Sequence, residues 1–191
     1  SLGLAEGTPM VLYTGTFEHY QGLDLLFESM PAVVKARPDV RFVMMGGEPQ
    51  QVEAAKARVA AAGVAHAVIF TGQRPASEVP AYLDAADVLV SPRSTGTNTP
   101  LKIYQYLRSG RPIVATRLLT HTQVLDDDTS ILTAPEPAAY AQGIVDAVSD
   151  PVRARAIGAR AKALADEKYS EAAYLAKTRD AMTQLERSRP L

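Results

Sequence analysis

The sequence predicts an α/β protein with a Rossmann-like, doubly wound parallel sheet of about six strands flanked by helices, followed by a helical C-terminal tail. Short apolar runs alternate with amphipathic or alanine-rich segments of about ten to sixteen residues, which is the pattern of consecutive βαβ units. Glycines end the first three runs, at positions 15, 46 and 72, where a strand must turn into a helix. We therefore expect residues 1–191 to form a single domain with a linker at 1–8, an α/β core at 9–135 and the tail at 136–191.

Each predicted strand is a short apolar run that ends at a glycine or a polar turn. The strands cover residues 10–14, 40–45, 66–71, 88–90, 113–115 and 130–133. The helices between them are predicted at 22–37, 49–62, 75–86 and 100–109. The tail is predicted to be helical from 137 to 186, with interruptions at Pro151 and Gly158.

Composition limits the classes of function. The chain has 191 residues, 47% of them hydrophobic, and a formal net charge of −1, which argues against a dedicated nucleic-acid binder. It has no cysteine, which excludes a disulfide framework and thiolate chemistry. Its three histidines, at 19, 66 and 121, lack metal-ligand spacing, and no apolar run approaches the roughly 20 residues of a membrane span. The start at Ser1 and the linker-like residues after it suggest an excised domain.

The stretch 98–116 is the most informative part of the chain, because it combines a helix start, a helix and a strand. Asn98 or Thr99 is expected to cap the helix, Pro100 suits its first turn, and Gly110 ends it. The stripe of this helix that faces the core is predicted to be Leu101, Tyr104 and Leu107.

An anion site is predicted where this helix starts. The polar residues 91–98 follow a predicted strand, so they lie at the carboxyl edge of the sheet, where ligands bind in this class of fold. Free N–H groups and about half a positive charge at a helix start favour a phosphate or diphosphate at residues 94–101. The turn 15–22 adds backbone N–H groups and the hydroxyl of Thr16, although it matches neither a dinucleotide fingerprint nor a P-loop. The alternative in both places is an ordinary turn without a ligand.

These residues resemble the C-terminal, donor-binding half of the retaining GT4-type glycosyltransferases, glycosyl transferases group 1, which have the GT-B fold. The resemblance covers nearly all of the chain and is strongest at 98–116. Supporting matches stand at 13–16, 21–24, 43–47, 71–74 and 87–92.

The resemblance implies transfer of a hexose-type sugar from a nucleoside-diphosphate sugar to an acceptor, with retention. The acceptor would be held by an N-terminal domain that this chain lacks, so the isolated domain is expected to be inactive. No metal or other cofactor and no nucleic-acid partner is expected. The full-length protein would be cytoplasmic, or peripheral at the inner face of the membrane through its missing half.

The resemblance also assigns site residues. The nucleotide base would lie against Gly72, Gln73 and Arg74, and the ribose against Gln105. The diphosphate would be bound by residues of the two turns and the helix start, namely Gly15, Thr16, Arg93, Asn98, Thr99 and Lys102.

The chain departs from the family pattern at the residues that usually carry charge. Thr97 and Gln105 stand where the family has a pair of glutamates, and Thr16 and Gln21 stand where it has an arginine and a lysine. The catalytic residues are therefore not assigned, and the cations for the diphosphate must come from Arg93, Lys102 or Arg74. By the same resemblance, His121 and Gln123 stand in a segment that approaches the donor sugar, and Gln123 is the further candidate there. His19 either contacts phosphate or sugar or pairs with Glu18 at the surface, and His66 is expected to be structural.

Two further points stay open at the level of sequence. The apolar residues Tyr169, Tyr174, Leu175 and Met182 of the tail either face the missing domain or complete the core of this one. Two other functions compete with transfer: a nucleotide-binding module that has lost catalysis, which the missing glutamates favour, and an epimerase-like enzyme acting on sugar nucleotides. Neither the base, the sugar nor the acceptor is predicted.

Overall fold

The computed structural model describes residues 2–187 and contains one six-stranded parallel sheet. The strands lie in the order β3-β2-β1-β4-β5-β6, which is the doubly wound order of Rossmann-like folds. Their bounds are Met10–Thr14 (β1), Arg41–Met45 (β2), Val68–Gly72 (β3), Val88–Ser91 (β4), Ile113–Thr116 (β5) and Ile131–Thr133 (β6). The predicted fold class is confirmed.

Eight α-helices lie among the described residues. They are Leu23–Ala36 (α1), Pro49–Ala61 (α2), Val79–Ala85 (α3), Lys102–Ser109 (α4), Leu119–Thr122 (α5), Pro137–Ser149 (α6), Pro151–Lys168 (α7) and Glu171–Arg187 (α8). Single turns of 3₁₀ helix occur at 19–21, 65–67 and 76–78. Among these residues no helix is long and apolar enough to cross a membrane.

The sheet is buried on both faces, as parallel sheets usually are. Successive side chains of β1 alternate between two apolar cores: Val11 and Tyr13 pack on one side, Met10 and Leu12 on the other. The first core contains side chains of α1, α2 and α6, and the second contains side chains of α3, α4 and α7. The loops at the carboxyl ends of the strands are therefore held by a rigid three-layer support.

The predicted strands are all present, with small shifts at their ends. His66 does not begin a strand, because residues 65–67 form a 3₁₀ turn in which its side chain is exposed. The helix predicted at 75–86 is shorter, since residues 76–78 form a second 3₁₀ turn. Helix α5 was not predicted as an element. Gly158 does not interrupt the tail but lies inside α7, where a β-carbon would stand 2.2 Å from the carbonyl oxygen of Gly110.

Helix α4 differs from its prediction in both its start and its buried face. Tight bonds from Ile103 N to Pro100 O and from Tyr104 N to Leu101 O make a turn before the helix, which begins only at Lys102. No side chain of residues 2–184 caps it. The buried face consists of Ile103, Tyr106 and Leu107, whereas Leu101 is 83% exposed, so the predicted stripe was wrong except at Leu107.

The apolar residues of the tail divide into two groups. Tyr169 packs on this domain, with its ring centroid 5.0 Å from that of Tyr104. Tyr174, Leu175 and Met182 of α8 are exposed. Among residues 171–184 of α8, no side chain is buried, so this helix adds little to the core.

Candidate functional site

The site predicted from the sequence lies at the point where the strand order reverses. Strand β1 pairs with β2 on one side and with β4 on the other, so the chain runs outward from β1 in both directions. In open α/β sheets this reversal leaves a crevice between the two loops that follow the central strands. Here the crevice is bordered by the loop after β1 and the loop after β4.

The floor of the crevice is made of backbone. Gly15 N donates to Met45 O at 3.0 Å, and Gly46 N donates to Gly72 O at 2.8 Å, so the loops after β1, β2 and β3 are joined. A β-carbon on Gly46 would stand 1.9 Å from the carbonyl oxygen of Gly15, a contact that only glycine permits. The side chain at position 46 is therefore excluded by the neighbouring loop.

Two buried tyrosines hold the loop after β1. The hydroxyl of Tyr13 donates to Thr16 O at 2.7 Å, and the hydroxyl of Tyr106 lies 3.0 Å from both the backbone nitrogen and the side-chain oxygen of Thr14. Since the backbone N–H of Thr14 donates to Tyr106, the tyrosine hydroxyl can donate in turn to the threonine oxygen. Burial raises the pKa of Tyr106 to about 12, which keeps this hydroxyl protonated.

Arg93 anchors the loop after β4. Its side chain is largely buried, with a relative exposure of 8%; Nε donates to Thr95 O at 2.9 Å and Nη2 donates to Asn98 Oδ1 at 3.1 Å. The guanidinium lies 5.4 Å from the ring centroid of Tyr20. Gly96 has a φ of 99°, and a β-carbon there would stand 2.7 Å from Arg93 Nη2. Asn98 thus binds the arginine instead of capping α4.

Lys102 projects from the first turn of α4 toward the loop after β1. Its Nζ donates to Thr14 O and to Gln21 Oε1, each at 3.2 Å, and lies 4.1 Å from the ring centroid of Tyr13. Burial, with a smaller contribution from the charge of Arg93, lowers the pKa of Lys102 to about 7. An anion in the crevice would favour the protonated ammonium.

Two clefts meet at the loop after β1 and bring most of the predicted residues together. The first, of about 530 Å³, is lined by Gly15, Thr16, Tyr20, Gln21, Arg93 and residues 98–102. The second, of about 340 Å³, is lined by residues 14–16, Glu18, residues 45–48, Gln51, Gln73, Arg74 and Val79. Because Gly15 and Thr16 border both clefts, an elongated ligand can occupy them together.

Three of the residues assigned from the sequence, Gln105, Thr97 and Gly72, do not line these clefts. Gln105 is exposed and lines a groove between α3 and α4, together with Asp84 and Arg108. That groove adjoins the second cleft at Val79, which borders both. Thr97 contributes its backbone carbonyl to a hydrogen bond from the Gln123 side-chain amide, so Gln123 supports the loop after β4. Gly72 also does not line the clefts, but its carbonyl oxygen accepts the bond from Gly46 in their floor.

A buried polar cluster behind the loop after β4 was missed from the sequence. His121 is fully buried; its Nε2 lies 2.8 Å from Ser91 Oγ and its Nδ1 lies 2.9 Å from Thr116 O. Burial lowers the pKa of His121 to about 4, so the ring is neutral at pH 7. The only signal available was that Ser91 and Thr116 directly follow two consecutive predicted strands, which does not indicate that a histidine joins them.

The described residues offer no ready set of metal ligands. Among residues 2–187, no group of three or more histidine, aspartate or glutamate side chains could hold a metal ion. The charged groups that face the first cleft are Arg93 and Lys102.

Comparison with known proteins identifies related chains. Residues 8–150 match the sequence profile of the family glycosyl transferases group 1. The GDP-mannose-dependent alpha-(1-6)-phosphatidylinositol monomannoside mannosyltransferase of Mycolicibacterium smegmatis is 30% identical over 158 residues, which is 78% of this chain and 41% of that protein. The lipopolysaccharide core biosynthesis mannosyltransferase LpsB of Rhizobium meliloti is 30% identical over 145 residues, or 71% of this chain and 40% of LpsB. The chain thus spans about two fifths of the length of these relatives.

Solved structures show the same fold at low sequence identity. Anabaena HepE, crystallised with UDP-glucose, superposes with a TM-score of 0.82 at 17% identity, over 93% of this chain and 49% of HepE. The C-terminal domain of the Francisella tularensis glycosyl transferase group 1 protein LpcC superposes with a TM-score of 0.75 at 22% identity. That comparison covers 86% of this chain and 88% of the LpcC domain, so the two are alike in extent as well as in fold.

Proposed function

The chain belongs to the glycosyl transferases group 1 family, and we propose that it is the donor-binding half of a retaining glycosyltransferase. Its Rossmann-like fold, which is that of one half of a GT-B enzyme, supports this proposal. In this proposal it binds a nucleoside-diphosphate sugar, and the full-length enzyme transfers the hexose to an acceptor held by an N-terminal domain. The observation that carries the proposal is the pair of clefts joined at Gly15 and Thr16, one of them lined by Arg93 and Lys102.

The two clefts divide the ligand by its chemistry. We assign the diphosphate to the first cleft, because it contains the cations Arg93 and Lys102 and the backbone of residues 98–101. We assign the base to the second cleft, beside Gln73 and Arg74. The ribose would then lie near Val79, within reach of Gln105.

Charge stabilisation is the chemistry that this half would supply. When the bond between the sugar and the diphosphate breaks, the leaving diphosphate gains negative charge. Arg93 and Lys102 can meet this charge directly, and the partly buried position of Lys102 strengthens its interaction. We therefore propose that transfer needs no metal ion. The cation on α4 would replace those that the family usually has in the loop after β1.

The similar proteins support a nucleotide-sugar donor, but they differ in the base of their nucleotide. The Mycolicibacterium smegmatis relative is named as GDP-mannose-dependent, and the Anabaena structure contains UDP-glucose. A second candidate function, a nucleotide-binding module without catalysis, is favoured by Thr97 and Gln105 at the positions of the glutamate pair. Both functions require nucleotide binding, so only an assay of transferase activity in the full-length protein distinguishes them.

Calorimetric titration of the 191-residue chain with UDP, GDP and ADP tests the proposal. Each nucleotide is used alone and as its common sugar conjugate, such as UDP-glucose and GDP-mannose. We expect binding of one base with a stoichiometry of one, and weaker binding in the variant Arg93→Gln. The matched control is Arg58→Gln on α2, an arginine paired with Asp24 outside the clefts. Lack of binding by all three bases would refute the proposal.

A further inference from the structure

The loop after β4, residues 93–98, is fixed at both ends by one short segment, residues 116–123. At the start of the loop, Thr116 Oγ1 donates to Arg93 O at 2.6 Å. At its end, Thr120 Oγ1 donates to Asn98 O at 2.8 Å. Both threonines are fully buried. The segment that includes α5 thus determines where Arg93 and Asn98 stand.

His121 joins this segment to the two central strands. Thr116 O is a carbonyl and can only accept, so His121 Nδ1 must carry the ring proton that it donates there. In the neutral ring Nε2 is then an acceptor, and Ser91 Oγ donates to it. The same Nδ1 lies 2.9 Å from Thr116 Oγ1, whose own proton goes to Arg93 O. Every donor in this chain of bonds therefore has an acceptor.

We propose that His121 is a positioning residue of the donor site: it links Ser91 at the end of β4 to Thr116 at the end of β5 and so holds loop 93–98. The inference rests on the function proposed above. His121 lines neither cleft and has no contact with the expected ligand; it acts through Thr116 on the backbone of Arg93. The guanidinium of Arg93, bonded to Asn98, keeps its orientation toward the diphosphate only while that backbone is fixed.

The experiment compares His121→Phe with Tyr140→Phe. His121→Phe keeps a ring in the cavity and removes its hydrogen bonds. Tyr140→Phe removes another fully buried hydrogen bond, from the tyrosine hydroxyl to Val114 O within β5. This hydroxyl also contacts the backbone of Ser91, but the bond from Thr116 to Arg93 stays intact in the variant. We expect both variants to lose stability, so a difference in affinity between them reports on the loop. A third variant, His121→Asn, restores a donor near the place of Nδ1.

Two readouts separate positioning from general destabilisation. The first is the dissociation constant for UDP, GDP and ADP. We expect it to rise about tenfold in His121→Phe, to stay within twofold of the original in Tyr140→Phe, and to recover partly in His121→Asn. The second is the NMR signal of the Arg93 Nε–H group, which donates to Thr95 O. It should be ordered in the original chain and in Tyr140→Phe, and averaged by motion in His121→Phe.

The outcomes distinguish this inference from the proposed function. If the original chain binds none of the three diphosphates, the proposed function and the role of His121 in it both fall. If it binds one of them, and His121→Phe is folded with unchanged affinity and an ordered Arg93 signal, the role of His121 is refuted while the proposed function stands. Equal losses of affinity in His121→Phe and Tyr140→Phe would also refute it.

Discussion

At the scale of single residues, the first cleft contains a cation, Lys102, whose burial opposes its charge. Lys102 is bonded to a carbonyl and an amide oxygen and lies over the ring of Tyr13, yet its pKa is lowered to about 7 by burial and by Arg93. A bound diphosphate would offset both effects. Ligand binding and protonation of Lys102 are therefore expected to be coupled.

The first prediction concerns this coupling. Above pH 7 the free lysine is mostly neutral, so a diphosphate that binds its charged form must bring in a proton; affinity then falls as pH rises above 7. Calorimetry at pH 8 in two buffers of different ionisation enthalpy should show uptake of up to about one proton. Lys102→Met should abolish the uptake and weaken binding about 10-fold to 100-fold, as expected for one charged hydrogen bond.

The control for this variant is Lys56→Met. Lys56 stands on α2, where it pairs with Glu53 at 2.8 Å outside the clefts, so its loss should change affinity by less than twofold. Equal binding heats in the two buffers for the original chain would contradict the coupling.

The second prediction concerns Gln105. An amide can accept a bond from a ribose hydroxyl, but without the charge that a glutamate would add. Gln105→Leu should therefore weaken binding of the ribonucleotide more than that of its 2′-deoxy counterpart, and Gln105→Glu should strengthen binding of the ribonucleotide. The measurement is the ratio of the two dissociation constants in each variant; a ratio that is the same in all of them would exclude contact with the ribose.

At the scale of elements, close packing of α7 on the end of α4 sets the position of the helix that carries Lys102. Gly158 stands in the middle of α7, and a β-carbon there would meet the carbonyl of Gly110 and the carbonyl carbon of Arg111, at 2.2 and 3.0 Å. Both are backbone atoms, so they can move away only if one element shifts.

The third prediction is that Gly158→Ala destabilises the protein. Helix propensity alone would make this change stabilising by about 1 kcal/mol, whereas overpacking against backbone typically costs about 1–3 kcal/mol. We expect the clash to prevail and the midpoint of urea denaturation to fall. The control is Ala159→Gly at the next, exposed position, which measures the propensity term by itself. A more stable Gly158→Ala variant would show that α7 can move away freely.

Elements differ in how far the sequence could predict them. The six strands were readable because each is an apolar run closed by a turn residue. The buried face of α4 could not be predicted, because the tight turn at residues 100–104 delays the start of the helix. As a result, Ile103 and Tyr106 turn inward instead of Leu101 and Tyr104. The same turn leaves Asn98 free to bind Arg93. Helix α5 is a single turn whose importance comes from bonds to Ser91 and Asn98, which are distant in sequence.

At the scale of the whole molecule, α8 follows a domain whose core is formed by the preceding elements. Residues 174–184 are all exposed, whereas the preceding helix α7 packs on α4 and buries Ala154, Ile157, Ala161 and Ala165. An exposed helix with Tyr174 and Met182 on its surface fits a contact with the N-terminal domain that we propose for the full-length protein.

The fourth prediction is that the domain does not need α8 to fold. A chain that ends at Ser170 keeps the packing of Tyr169 on Tyr104 and should unfold cooperatively, with a melting temperature within a few degrees of the original. A chain that ends at Ser149 also loses α7 and should not fold cooperatively. Calorimetric melting of the three chains tests this. If the chain ending at Ser170 unfolds without a cooperative transition, α8 is part of the core.

The backbone floor of the crevice has a consequence for how this protein can change. Its shape is set by hydrogen bonds between main-chain atoms of the loops after β1, β2 and β3 and by the contact of Gly46 with Gly15. The charge of the adjoining first cleft is set by Arg93 and Lys102, side chains of the loop after β4 and of α4. The shape and the charge of the two joined clefts are thus encoded at different positions. Selection or design could therefore move the cations to other positions without changing the shape of the clefts. Thr16 and Gln21 illustrate this, because they stand where the resemblance places an arginine and a lysine.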